Sequence, residues 1–241
     1  MQSVDIAIVG DFDRSKHSHW ATEAALFHAA AKLRITVLPR WVSTPEVEAD
    51  AEAALRRADG IWGAPGSPFE SAKGMLQAIT YARCHNKPYL GTCAGFQYAL
   101  IELTRSLLDM PDADSAENHP SSGQVVITPV QCEAPRRAVP RLLGRSRVSI
   151  EPGSLLAALC RAGQLDAEFF CSYEVNAAFE ARWQDAGVRF CARGDGGEPR
   201  ALELPTHRFF LATLFQPQLS TSLQEPHPIV TGFLQAAHRA G

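Results

Sequence analysis

The chain has 241 residues, of which 46% are hydrophobic and 20% charged, with a formal net charge of −3. That length can bury one large core but is short for two full domains. The mild negative charge offers no basic field for nucleic acid or an anionic membrane, and no apolar run approaches the roughly 18–20 residues that span a bilayer.

The six cysteines (Cys84, Cys93, Cys132, Cys160, Cys171 and Cys191) show no close paired spacing, so neither a zinc ribbon nor a small disulfide framework follows. In a chain this large they fit reduced cytosolic thiols, five of them small buried hydrophobes and only Cys93 needing another account. The opening residues reach an acidic pair without a basic n-region or a cleavage site and do not read as a signal peptide.

In chain order, residues 4–10 form a short apolar run ending in glycine, a buried parallel strand. Ser18 caps a helix whose apolar stripe includes Trp20, Ala24, Phe27 and Ala31. Residues 35–39 are the second strand. Thr44, Pro45 and Glu46 supply cap, first-turn proline and first-turn acid to an Ala-rich helix ending near Gly60. Strand 60–64, helix 72–85, strand 88–92 and a helix from Gly95 follow. Strands alternating with helices through short turns indicate a mostly parallel, doubly wound sheet with flanking helices. The polar connection 110–123 leads into runs 125–130, 148–150, 169–175, 188–192, 200–204 and 210–215, read as an antiparallel extension closed by helix 229–240. No linker divides the chain, so residues 1–241 are read as one α/β domain.

Gly91-Thr92-Cys93-Ala94-Gly95 has the form glycine, any residue, nucleophile, any residue, glycine, set between a predicted strand and a predicted helix. A sharp strand-to-helix turn exposes the central side chain in a strained backbone, and the glycines let strand and helix approach. The thiol then sits at a helix N-terminus, which favours the thiolate. The Ala94 N–H is a natural oxyanion donor, and a second one comes from the Pro65-Gly66-Ser67-Pro68 turn at the same sheet edge. Taken alone, the five-residue motif also fits a small residue in an unreactive turn.

Through these residues the chain resembles the class I glutamine amidotransferases, and within them the glutaminase domain of CTP synthases. The resemblance runs over nearly the whole chain. It is carried by residues 59–105, which hold the glycine turn, helix and elbow, then by 172–196 (SYEVNAAFEARWQDAGVRFCARGDG) and 202–234. It implies a flavodoxin-like fold. In that family the triad closes with Phe-His-Pro-Glu, the His as base and the Glu as its orienter. Here the stretch reads Phe215-Gln216-Pro217-Gln218, so neither a proton acceptor nor a charged orienter stands at the catalytic positions beside Cys93. The family's carboxylate-binding Arg before Tyr-Glu-Val-Asn is Ser172, followed by Tyr173. The resemblance keeps Gln97 and Glu117 as substrate contacts, Glu117 by its place in the segment, and Gly66, Ser67 and Ala94 around the oxyanion. The family's synthetase domain has no counterpart in these 241 residues, which alone are expected not to make CTP.

The loop after the first strand contains Asp11, Asp13, His17 and His19 and opens at the carboxyl edge of the sheet, where ligands bind in such folds. Asp11, His17, His19 or, from the polar connection, His119 is therefore an alternative base for Cys93, against a plain reading of each as a capping or solvated residue. A metal reading of that loop finds no third cluster to complete a ligand set. His207 and His227 read as structural. Arg136, Arg137, Arg141, Arg145 and Arg147 form a basic cluster that reads as a solvated face or partner contact. Two functions stay open: a Cys hydrolase or amidotransferase-like enzyme on a small amide or amino-acid-like substrate, and an inactive binding or regulatory domain. Either way the expected partner is a small molecule, without cofactor, metal, nucleic acid or membrane, in the cytoplasm. A homodimer or partner protein is left open.

Overall fold

The computed structural model describes residues 3–119, 123–130 and 142–239. Cys132 and Arg136, Arg137 and Arg141 of the basic cluster lie outside them. The first half alternates as expected: β1 (Ser3–Val9), α1 (His17–Leu33), β2 (Thr36–Val42), α2 (Thr44–Ala49), α3 (Ala51–Leu55), β3 (Gly60–Gly63), α4 (Ala72–Cys84), β4 (Tyr89–Thr92) and α5 (Ala94–Leu107). The second half is richer in strands. It holds β5 (Asp114–Ser115), β6 (Val125–Pro129), β7 (Leu142–Ile150), α6 (Leu155–Cys160), β8 (Gln164–Cys171), β9 (Tyr173–Val175), α7 (Glu180–Asp185), β10 (Arg189–Arg193), β11 (Pro199–Glu203), β12 (Phe210–Thr213) and α8 (Pro228–His238).

Among the described residues, nine strands form one sheet in the order β2-β1-β3-β4-β12-β11-β10-β7-β8, and β5-β6-β9 form a small second sheet. The pairs β1–β2, β1–β3, β3–β4 and β4–β12 are parallel, and the pairs from β12 outward to β8 are antiparallel. The fold is thus an α/β sheet with a doubly wound parallel half and an antiparallel extension. Strands β3, β4 and β12 are buried at every residue, which explains sequences without polar alternation, Thr92 and Thr213 standing only at the ends of β4 and β12. On the helical side, α1 packs with α8, and α4 packs with both α2 and α5. Side chains such as Ile6, Ile8, Leu26 and Phe233 are fully buried, each worth about 1.5–3 kcal/mol over the exposed state.

Several local expectations need correction. Helix α1 starts at His17 with Lys16 as its N-cap and no side-chain cap bond, so Ser18 is not the cap. The Ala-rich helix after β2 is two helices. Ser43, not Thr44, caps the first, and Asp50 breaks the backbone in an extended conformation while its carboxylate accepts the Ala53 N–H of the second. The run 169–175 is not one strand: β8 ends at Cys171, Ser172 intervenes, and β9 pairs in the other sheet. Helices α6 and α7 and strand β5 went unread, and β7 begins well before residue 148. Among the described residues, no helix is long and apolar enough to cross a membrane.

His207 and His227 hold the fold together. His207 Nδ1 accepts the Phe209 N–H, and its Nε2 contacts the Ala82 carbonyl. His227 caps α8 by accepting the Ile229 N–H at Nδ1, and burial pushes its pKa down to about 4. The unfolded chain takes up a proton near pH 6.5 and the folded chain only near 4, so this histidine's stabilisation is complete above 6.5 and is lost as pH falls through that window. At about 1.4 kcal/mol per unit the loss is roughly 3 kcal/mol. His227→Asn keeps a cap acceptor but removes the titration, so denaturant midpoints measured from pH 7 to 4 are expected to fall less steeply in the variant.

Candidate active site

The register of the parallel strands brings the site together. Val9 pairs with Gly63, Gly63 with Gly91, and Thr92 with Thr213, so the segments after β1, β3, β4 and β12 all leave the same edge. Cys93 follows β4 as the N-cap of α5, at φ 52° and ψ −107°. A non-glycine residue there carries strain of order 1–3 kcal/mol. Its amide is held by the Thr213 carbonyl at 2.9 Å. The flanking glycines are sterically required: a Cβ on Gly91 would stand 2.7 Å from the Gly95 carbonyl oxygen, and one on Gly95 would fall on the Gly63 carbonyl.

The Cys93 thiol is 3.3 Å from Cys171 Sγ and 3.6 Å from the Phe170 carbonyl. Cys171 Sγ in turn reaches the Leu214 carbonyl at 3.2 Å. The Cys93 pKa is lowered, first by the bond from Cys171 and further by the N–H groups of Ala94 and Gly66. Burial and the negative charge of Glu117 oppose that shift. Cys171 is pushed far up, by its bond to Cys93 and then by burial. One thiol of the pair therefore ionises first, and it is Cys93.

Gln216 and Gln218 are both buried, 2% exposed each. The Gln216 N–H donates to the Glu168 carbonyl, which ties the end of β12 to β8. Gln218 Nε2 donates to Gln216 Oε1 at 3.3 Å and to Thr92 Oγ1 at 3.4 Å, while its Oε1 is buried without a hydrogen-bond partner. The two amides thus engage each other and the elbow strand. Neither can accept a proton from Cys93 at any ordinary pH.

Of the alternative bases, His19 and Asp11 are paired within the scaffold, and His17 and His119 are exposed. His19 Nδ1 accepts the Asp13 N–H at 3.0 Å and its Nε2 meets the Pro65 carbonyl at 3.1 Å, which puts the ring proton on Nε2. Burial lowers its pKa. By holding the Pro65 carbonyl, His19 directs the opposite end of that peptide, the Gly66 N–H, toward the Cys93 sulfur. Lys16 Nζ donates to the next carbonyl, that of Gly66. The Asp11 carboxylate accepts from the Thr44 N–H and hydroxyl and from the Glu70 N–H, fastening three segments. His17 is exposed at the start of α1, and His119 is exposed with Asp114 at 3.8 Å. These four residues belong to the scaffold around the turn or to the surface, because their ring nitrogens and oxygens are already paired or face solvent. Among the described residues, no group of three or more His, Cys, Asp or Glu is placed to hold a metal ion.

Of the expected substrate contacts, Gln97 is buried with Nε2 donating to the Tyr173 carbonyl at 3.0 Å, and Glu117 lies near enough to oppose ionisation of Cys93. Ser172 and Tyr173 are half-buried where β8 passes into β9, and Ser67 is half-buried in the turn. Sequence reasoning missed Cys171, taken there for a small core residue. The available signal was its place directly before Ser172, in the segment expected to reach the substrate.

Known proteins share this fold. Residues 20–236 match the family model of class I glutamine amidotransferases. A CTP synthase of Methanopyrus kandleri is 33% identical over 99% of this chain and 46% of its own length. One from Saccharolobus solfataricus is 30% identical over 98% and 45%. The chain therefore spans a little under half the length of these curated relatives. Among solved structures, the glutaminase domain of Trypanosoma brucei CTP synthase with bound acivicin superposes with a TM-score of 0.90 at 28% identity, covering 98% of this chain and 94% of that one. A glutamine amidotransferase from Thermotoga maritima shares the fold alone, at a TM-score of 0.58 and 9% identity over 99% of this chain and 98% of that one. From the elbow to the closing helix, then, this chain belongs to the class I glutamine amidotransferase family, in the branch that is similar to the CTP synthase glutaminase domain.

Proposed function

We propose that Cys93 is a nucleophile toward a small amide or amino-acid-like acyl compound, and that the chain is not an ordinary glutaminase. The observation that carries this reading is the thiol itself: it is favoured as thiolate by Cys171, Ala94 and Gly66 without any histidine. The thiolate fraction attacks without a base, so the loss represented by Gln216 falls on other steps. The N–H groups of Ala94 and Gly66, which face the sulfur, are suited to receive the oxyanion that develops beside it. Glu117 supplies a negative charge for a substrate ammonium, and Gln97 keeps an amide oxygen to accept from it.

Without a positioned base, a leaving amine draws its proton from solvent and water attacks the thioester unaided, each at a cost of ~10²–10⁴ in rate. The expected kinetics are a fast, stoichiometric acylation followed by slow turnover, best with good leaving groups. The test offers amino-acid p-nitroanilides and thioesters, including γ-glutamyl ones, to the protein and to Cys93→Ala, and weighs the intact protein. An acyl adduct on the wild type alone supports the reading. Neither an adduct nor release above buffer would sink it. The pairing of Gln218 with Gln216 favours a second reading, a binding domain, whose mark is equal thermal stabilisation of both proteins by such a compound without an adduct.

A further inference from the structure

Acyl transfer needs one thiol, and this site holds two. Cys93 and Cys171 are 78 residues apart in sequence, on the elbow and at the end of β8, yet their sulfurs stand 3.3 Å apart. We propose that Cys93 and Cys171 form a dithiol that a hydroperoxide oxidises to an intramolecular disulfide.

The arrangement has the division of labour that such chemistry requires. Cys93 is the more open of the two, at 9% exposed against 3%, and it is the one held toward the thiolate. Thiolate character and access decide which cysteine meets a peroxide first. Cys171 keeps its proton and lies in contact with the sulfur it would have to attack. Both are anchored by backbone: Cys93 through its amide to the Thr213 carbonyl, and Cys171 through its pairing with Leu142 of β7. The charge of the buried Arg200 also draws Cys171 toward ionisation, as its attack would need. The remaining movement is small, since a disulfide bond is about 2 Å long.

The steps balance without another reactant. The Cys93 thiolate attacks one peroxide oxygen, the O–O bond breaks, and the departing oxygen takes a proton to leave as water or alcohol. Cys93 is then a sulfenic acid. Cys171 gives up its proton and attacks the Cys93 sulfur; the S–S bond forms, the S–O bond breaks, and hydroxide leaves with that proton as water. Two thiols are oxidised and one hydroperoxide is reduced. The other described cysteines do not compete for this partnership: Cys191 is fully buried with its thiol pushed up, Cys160 is pushed up to about 11, and Cys84 is exposed on α4. Oxidation of this kind requires only the thiol pair and proceeds whether or not Cys93 acylates.

To test it, the reduced chain is treated with stoichiometric hydrogen peroxide, blocked with N-ethylmaleimide, digested without reductant and mapped by mass spectrometry. The expected result is loss of two of the six thiols, a cross-linked peptide pair joining Cys93 to Cys171, and recovery of both thiols with dithiothreitol. In Cys171→Ser the cross-link is absent and dimedone traps a sulfenic acid on Cys93. Three results would overturn the proposal: Cys93 driven to sulfinic acid while Cys171 still takes maleimide, Cys93 linked to a different cysteine, or Cys93 left unoxidised. Should Cys171→Ser fail to fold by circular dichroism, the wild-type map decides alone. A cross-link without any acyl adduct retires the nucleophile reading and keeps this one; an adduct without a cross-link does the reverse.

Discussion

Iodoacetamide is expected to modify Cys93 faster than Cys84, Cys160, Cys171 or Cys191 at neutral pH. Alkylation follows the thiolate fraction, and an ordinary thiol with a pKa of about 8.5 is only a few per cent thiolate at pH 7. Cys93 lies below its ordinary value because Cys171, Ala94 and Gly66 all favour its anion. Each unit of lowering gives up to about tenfold more thiolate on the acid side of the curve. Cys160, Cys171 and Cys191 move the other way. A lowered pKa keeps the thiolate as pH falls, so the Cys93 rate profile has its midpoint acid of a free thiol. Cys84 is the competitor by access, being exposed. Peptide mass spectrometry across pH 5–9 separates the sites, and Cys93→Ala removes the fast phase. Cys171→Ala deletes the largest favourable contact and is expected to move the midpoint up, while Cys171→Ser restores a donor and moves it back. A Cys93 that reacts no faster than Cys84, with the same midpoint, would end the nucleophile argument.

That experiment also separates two explanations of Gln216 and Gln218. If the site had simply decayed, the thiol would be expected to behave like any buried cysteine, with burial raising its pKa. The contacts around it lower it instead. Cys171 comes from β8, whose end is tied beside the Gln216 segment by the Gln216 N–H to Glu168 carbonyl bond of 2.8 Å. In this chain the largest favourable contact of the Cys93 thiol is with a second sulfur, that of Cys171. A thiol can donate to a thiolate but is a poor proton acceptor, so under the proposed reading turnover, rather than the first attack, is the step expected to be slow.

The parts of the molecule that could be read from sequence are those whose causes are local. The parallel strands announce themselves because both faces are buried, so residues 6–9, 61–64 and 89–92 are apolar or small without alternation. The elbow is legible because its whole pattern lies within five residues, where Gly91 is required by the Gly95 carbonyl, although Gly95 itself is required by the Gly63 carbonyl on β3. Where the cause is distant, the reading fails. Nothing in Phe170-Cys171-Ser172-Tyr173 marks a break, since no glycine or proline interrupts it. The strands separate because Cys171 pairs with Leu142 in one sheet and Tyr173 with Pro129 in the other. His19 looked like a base because its loop opens at the right edge. Only the folded loop, with the Asp13 N–H on one nitrogen and the distant Pro65 carbonyl at the other, shows both occupied. The Asp50 break lay between: its capping chemistry was present in the sequence, but the Ala-rich residues on both sides outweighed it in a helix reading.

Gly95→Ala is expected to unfold the chain or to cost more than the ~1–3 kcal/mol of an ordinary overpacked core site. The added Cβ would fall on the Gly63 carbonyl oxygen, with the carbonyl carbon only 2.7 Å away. Backbone cannot yield as a flexible side chain does, because Gly63 is fixed in register between Val9 and Gly91. The strain must then move α5 away from β3. That motion lengthens the buried bond from the Tyr89 hydroxyl to the Gly95 carbonyl, now 2.9 Å, and leaving such a pair unmade adds about 1–3 kcal/mol. It also carries Cys93 away from Cys171 and the Gly66 turn, so any folded fraction is expected to lose the fast alkylation. Gly163→Ala is the matched control, since a Cβ there meets nothing within 4 Å and the expected change is within about 0.5 kcal/mol. Urea midpoints at neutral pH read both. A Gly95→Ala protein as stable as the Gly163→Ala control would mean that α5 does not lie against β3 at the elbow, and the geometry from which Cys93 derives its contacts would have to be redrawn.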